Sequence, residues 1–220
     1  MLTSAFDTAL SGAPSRLVRD DGCEIGLAVA RWRRVAQGED RWLLDRCTGS
    51  VIDLGCGPGR LVAALAARRL SALGVDVSAV AQRHCRRRRA PMIRQDLFGP
   101  LPGEASWGHV LLADGNIGIG GDPERLLRRA VRLLRRGGTV LVETDAATEM
   151  FWRGTVRVRT RGGIGATLPW ACAGADALHR LTGPLGLRRT DGYRGRRSFV
   201  EFSLVTAPEP RCAARAAAAG

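Results

Sequence analysis

At 220 residues the chain has the size of one domain with a single large core. Its formal charge is +13, from 34 basic and 21 acidic residues; all the basic residues are arginine, and Asn116 is the only asparagine. Six cysteines without a C-x-x-C pair argue against a zinc or disulfide framework, and no apolar run is long enough to span a membrane.

The absence of lysine and the wealth of Ala, Gly and Arg are what a GC-rich coding sequence produces. The arginines therefore read first as solvated surface, and nucleic acid is not expected as a partner. The first residues lack the basic-then-apolar layout of a signal peptide, so a cytoplasmic protein with reduced thiols is the expectation.

Residues 1–15 carry a short helical pattern (Ala5, Phe6, Ala9, Leu10) broken by Gly12 and Pro14. Leu17-Val18, Asp20-Asp21-Gly22 and the run from Ile25 to Val29 predict a β-hairpin around a D-G turn. A helix follows from Glu39 to Cys47. Residues 1–48 form an N-terminal cap in this reading, packed either over the ligand site or along one sheet edge.

Val51-Ile-Asp-Leu-Gly-Cys-Gly-Pro-Gly-Arg60 is a buried strand, a glycine turn and a helix start. Glycine supplies backbone angles that other residues avoid and removes the Cβ that would block a ligand. The dinucleotide fingerprint G-x-G-x-x-G fails on spacing, because Arg60 or Val62 stands where its third glycine belongs. The phosphate loop of nucleoside triphosphatases fails too, for want of G-K-[ST].

What remains, D-x-G-x-G-x-G from Asp53, resembles the first motif of the class I S-adenosylmethionine-dependent methyltransferases. Leu73-Gly-Val-Asp-Val-Ser78 is a second apolar strand ending in an acid. A carboxylate there, about 20 residues past the turn, is placed to accept the ribose hydroxyls of an adenosine. Ser78 is the better candidate than Asp76 to cap the next helix.

Further strands are predicted at 92–95, 108–113 and 138–144, and helices at 59–69, 79–89 and 123–135, with Asp122-Pro123-Glu124 as a helix start. After Asp145 the pattern becomes antiparallel: Thr155 to Arg161 alternates, Gly162-Gly163 turns, and Ile164 to Trp170 pairs back. A helix from Asp176 to Leu181 precedes a closing pair, Leu187 to Tyr193 and Phe199 to Val205. The expected fold is α/β: a Rossmann-like, seven-stranded, mostly parallel sheet with an antiparallel last strand and helices on both faces. It would occupy residues 49–207 with an insertion at 146–175, followed by a flexible tail at 208–220.

The resemblance runs from Val51 through Glu143, and Leu168-Pro-Trp-Ala with Ala175-Asp-Ala-Leu is similar to segments of uncharacterised actinobacterial methyltransferases. It implies S-adenosyl-L-methionine as cofactor, bound by Asp53, Gly55, Cys56, Gly57, Gly59, Asp76, Val77, Asp96 and Leu97, with Asp96 at the adenine amino group. Asp114 and Asn116, after the fourth strand, would face the methyl-transfer cleft beside a glycine-rich loop free to move. Phe151, Trp152 and Trp170 of the insertion would either line an acceptor pocket or close the core.

The family's signatures for base-amino, base-carbon and protein-arginine methylation are missing around Asp114, and no metal set is assigned. A small-molecule acceptor is the first reading. RNA methylation along the arginines of 153–161 and 188–197, or cofactor binding without catalysis, are the alternatives. Among the histidines His179 is the nearest to a candidate base.

Overall fold

Two sheets share the chain in the computed structural model, which describes residues 5–205. The chain opens with the short helix α1 (Asp7–Leu10), the hairpin β1 (Ser15–Arg19) and β2 (Glu24–Gly26), then helices α2 (Val29–Arg33) and α3 (Asp40–Arg46). The alternating core follows as β3 (Ser50–Leu54), α4 (Arg60–Ala67), β4 (Ser71–Asp76), α5 (Ala79–Arg88), β5 (Met92–Arg94) and β6 (Trp107–Leu112). A 3-10 segment at Asn116–Gly121 leads into α6 (Pro123–Leu133) and β7 (Leu134–Thr144). Then come the long hairpin β8 (Phe151–Thr160) and β9 (Gly163–Ala173), α7 (Ala175–Thr182), and the closing strands β10 (Leu187–Arg194) and β11 (Ser198–Leu204).

The seven-stranded sheet runs β10-β11-β7-β6-β3-β4-β5, and β11 is the strand antiparallel to its neighbours. Its inner strands are buried on both faces by helices, which is why β3 and β6 read as continuous apolar runs. Ile52 and Leu54 pack with Val110 and Val140 against Leu126, Leu127 and Leu178 of α6 and α7. Val51 and Leu141 pack against Leu43, Leu61 and Leu65 of α3 and α4 on the other side. Each such leucine contributes roughly 1.5–3 kcal/mol by leaving water. Helix starts sit where the sequence places them. Ser78 Oγ accepts from the N–H of Val80 and Ala81, and Asp122 Oδ1 from that of Arg125.

The second sheet is antiparallel, in the order β2-β1-β8-β9. The N-terminal hairpin and the insertion hairpin are thus one sheet, joined through Leu17 opposite Val158. Its inner face carries Leu17, Val156, Val158 and Trp170; Arg16, Arg157 and Arg159 alternate onto the outer face.

Three expectations need correction. The strand predicted to reach Val29 stops at Gly26, and Val29 begins α2 because Val29 and Trp32 are buried together on one face. Residues 116–121 are not a free loop. A Cβ on Gly118 would strike the Ala171 carbonyl oxygen and lie 2.6 Å from Trp170 Nε1, so this glycine serves close packing against β9. β7 starts at Leu134, four residues earlier than expected, with an irregular register against β6 before Thr139. The expected tail at 208–220 lies outside the described residues.

Candidate functional site

β3 ends in a turn whose glycines are all left-handed, Gly55 at φ +77°, Gly57 at +51° and Gly59 at +76°. The neighbouring strand supplies the clasp. Gly57 N–H donates to Asp76 Oδ2 at 3.0 Å, and Ser78 N–H to Asp76 Oδ1 at 2.8 Å. Each oxygen keeps lone pairs for a further donor. Burial pushes this carboxyl above its ordinary value, against the pull of those two N–H groups.

A cavity of about 670 Å³ opens over this turn, at the carboxyl ends of the parallel strands and beneath the antiparallel sheet. Gly55, Cys56, Gly57, Asp76, Val77, Asp96, Leu97, Asp114 and Asn116 all line it. Asp53 and Gly59 do not. Gly59 faces Cys85, whose Sγ would be 2.6 Å from an added Cβ, and Asp53 is buried with no hydrogen-bond partner for Oδ1. Burial pushes the Asp53 carboxyl up to about 7, with Arg60 opposing and Asp114 and Asp76 adding to the rise.

Of the insertion's three aromatics only Trp170 lines the cavity. Trp152 instead carries the Arg19 guanidinium on its ring face at 4.0 Å, and Phe151 is exposed. The other aromatic walls come from the N-terminal segment, as Phe6, 5.4 Å from Trp170 ring to ring, and Trp32. No histidine lines the cavity, so His179, on α7, is not placed as a base. Cys172 does line it, but burial pushes its thiol up to about 11 and no thiolate nucleophile stands there at neutral pH.

Beneath the floor lies an ionic lattice. Arg60, the first residue of α4, donates Nε and Nη2 to the two oxygens of Asp40 at 3.0 and 2.9 Å and also binds Asp114. Arg197 spans Asp40 and both oxygens of Glu143. Arg31, from α2, reaches Asp114 Oδ1 with Nη2 at 2.9 Å and with Nε at 3.3 Å. Asp114 is therefore enclosed by guanidiniums. Asn116 turns its amide downward, donating Nδ2 to the carbonyls of Leu54 at 2.9 Å and Gly55 at 2.8 Å. Among the described residues no group of three or more His, Cys, Asp or Glu side chains is arranged to hold a metal ion.

Residues 51–138 match the family model of the methyltransferase domain, across the turn, the Asp76 strand and the Asp114 loop. Over those residues the chain resembles the class I S-adenosylmethionine-dependent methyltransferases.

Its similarity extends to a trans-aconitate 2-methyltransferase of Paracidovorax citrulli (strain AAC00-1), 32% identical over 143 residues, 62% of this chain and 52% of that protein. The match thus spans about half the length of that curated relative. A crystal structure of a methyltransferase from Bacteroides fragilis, in complex with S-adenosyl-L-homocysteine, superposes with a TM-score of 0.74 at 17% identity, covering 93% of this chain and 96% of the other. The Burkholderia thailandensis 1,6-didemethyltoxoflavin-N1-methyltransferase superposes at 0.53 with 16% identity, over 76% and 75% of the two chains. At these identities the likeness is one of fold.

Sequence reasoning missed the lattice under the cavity. Glu143 carried a signal, as a charge closing the apolar run Val140-Leu141-Val142. So did Arg60, buried at the start of a helix where an apolar residue would pack. Arg31 and Arg197 carried none, since each lies in a run of arginines that reads as surface.

Proposed function

We propose that this chain transfers a methyl group from S-adenosylmethionine to a small-molecule acceptor. The observation that carries the reading is the single cavity that joins the glycine turn and Asp76 to the Asp114 loop under a roof of apolar side chains. Its volume is that of a small-ligand site, roughly 300–1,000 Å³. The residues fit the cofactor. A Cβ added to Gly57 would meet only Leu10 Cδ2, at an ordinary contact distance of 3.5 Å, so no backbone atom covers the turn there. When bound, the cofactor would supply an electrophilic sulfonium methyl.

The chain's own residues would do the rest by holding and excluding. Asp76 accepts the ribose hydroxyls, and Asp96 with Leu97 takes the adenine. Trp170, Phe6, Leu17 and Ile119 wall the acceptor side and keep water out. Alignment of an acceptor with the methyl carbon can supply roughly 7–11 kcal/mol of the barrier in favourable cases. Asp114 and Asn116 act as positioning residues, since their polar atoms already hold arginines and the turn backbone. The similarity to a trans-aconitate methyltransferase supports a small acid as one acceptor class to try.

Isothermal titration tests the reading. S-adenosylhomocysteine should bind on the order of micromolar and NAD should not. Asp76→Ala should weaken that binding by about 1.5–3 kcal/mol, the loss of hydrogen bonds to a charged acceptor. Wild-type affinity in Asp76→Ala, or comparable binding of NAD, would place the site elsewhere.

A further inference from the structure

Five carboxyl groups and two guanidiniums line the cavity, and only some of these charges answer one another. In the lattice, Arg31, Arg60 and Arg197 face Asp40, Asp114 and Glu143, three charges of each sign, so it is neutral within itself. Asp76 and Asp96 stand at the β4 and β5 ends, on the adenosine side. That leaves Asp145, the residue after β7, as the carboxylate of the other half without an ion-pair partner among the described residues. Its Oδ1 accepts from the Ala147 N–H at 2.9 Å, which fixes the group, and Oδ2 has no partner among the described residues. Of the cations around this half, Arg31 is held by Asp114 and Glu143. Arg19, beside Cys172, is held by Asp21 and lies over the ring of Trp152. The walls of the same half are apolar, with Phe6, Leu17, Leu168 and Trp170. Such walls make an uncancelled charge felt more strongly than water would.

We propose that Asp145 is the specificity residue of the acceptor half and that the acceptor is an amine on an apolar body. The proposal rests on the methyltransferase reading and names its acceptor class. Position agrees: β7 lies three strand spacings from β4, roughly 14 Å, so Asp145 stands beyond a ribose bound at Asp76. An ammonium or amine N–H meets the open Oδ2 in a charge-assisted hydrogen bond. A hydroxyl brings no charge of its own, and an acid would face Asp145 with each nearby guanidinium already engaged. In the transfer the ammonium first yields one proton to water. The lone pair so freed forms the N–C bond as the C–S bond breaks, and the C–S electron pair stays on sulfur as a thioether. Asp145 holds the nitrogen throughout and stabilises the positive charge that returns to it.

Benzylamine, benzyl alcohol and benzoate share one body and differ in the group that Asp145 would meet. Each is titrated into the full chain saturated with S-adenosylhomocysteine, with trans-aconitate alongside. The wild type should bind benzylamine about 10- to 100-fold more tightly than the alcohol, the worth of a charge-assisted hydrogen bond. Benzoate and trans-aconitate should bind no better than the alcohol. Asp145→Asn keeps an oxygen for the Ala147 N–H and removes the charge, so S-adenosylhomocysteine affinity should stay within about twofold. In that variant the preference for the amine should shrink to about threefold or less. If the preference survives Asp145→Asn, the attraction comes from the other carboxylates and Asp145 is not the residue. If benzoate or trans-aconitate binds more tightly than benzylamine, or benzylamine binds no better than the alcohol, the amine class is overturned. Failure of S-adenosylhomocysteine to bind the wild type would instead remove the methyltransferase reading, and this proposal with it.

Discussion

At Asp53, burial strips the carboxylate of water while Oδ1 finds no donor, and the group is pushed up to about 7. Unfolded, it ionises near 3.8. Between those values the folded chain holds a proton that the unfolded chain has lost. The contribution of Asp53 to stability therefore falls as pH rises through that window, and is constant above it. Asp40 has the opposite sign. Burial works to raise its pKa, but Arg60 and Arg197 outweigh it, so the net shift is downward. Its contribution is present above the ordinary carboxylate value and is lost as pH falls through the lower folded value. Asp53→Asn should accordingly raise the Tm relative to wild type, by a gap that widens from about pH 4 to pH 7 and then stays flat. Melts across that range check it, and a gap independent of pH would mean that Asp53 does not titrate there.

Between elements, the joint that matters to the cavity is the one from β6 to β3. Asn116 lies past the end of β6, yet its amide closes on the carbonyls of Leu54 and Gly55, the last residue of β3 and the first glycine of the turn. An added Cβ on Gly55 would lie 2.7 Å from that amide nitrogen, so this glycine is needed for the joint as well as for its own φ. Asn116→Ala leaves two carbonyls short of a donor, which costs about 1–3 kcal/mol. It should also weaken S-adenosylhomocysteine, because the turn loses its support. Urea unfolding and titration read the two effects; unchanged values in both would detach Asn116 from the turn. The sequence marked this residue by its rarity and by its place after the fourth strand. Which side of the cleft its amide faces depended on how closely β6 approaches β3, and no local pattern encodes that.

For the whole molecule, the arginines divide by partner. Arg60 and Arg197 are buried in the lattice that ties α3, α4, β7 and the start of β11 together under the cavity. Arg197→Met would leave Asp40 and Glu143 short of a counter-charge in a low-dielectric interior, and should cost about 3–5 kcal/mol in chemical denaturation. A loss below about 1 kcal/mol, the range of exposed pairs, would mean that water reaches the lattice. On the outer face of the cap sheet Arg157 is exposed, whereas Arg159 and Arg153 are paired with Glu24 and Asp122. Binding to RNA should therefore be weak, blind to sequence and lost between about 50 and 200 mM salt. Tight binding to one defined RNA that disappears when Arg157 is neutralised would favour a nucleic-acid substrate instead.

The glycine turn, the Asp76 strand, the alternation of strands and helices, and the helix caps at Ser78 and Asp122 were all legible from residues within a few positions of one another. Their physics is local. A left-handed turn needs glycine, a helix start needs an acceptor, and a strand buried on both faces needs an unbroken apolar run. The tertiary structure alone decided that β1 pairs with β8, and so that the first residues and the insertion roof the cavity together. It also decided which six of the many charged residues stand in the lattice under that cavity, and that Arg31 and Trp32 face the ligand space while Trp152 does not. Pairing of edges far apart in sequence, and the choice of a buried partner for each charge, depend on where the whole chain has already packed, and neither leaves a periodic trace in the residues themselves.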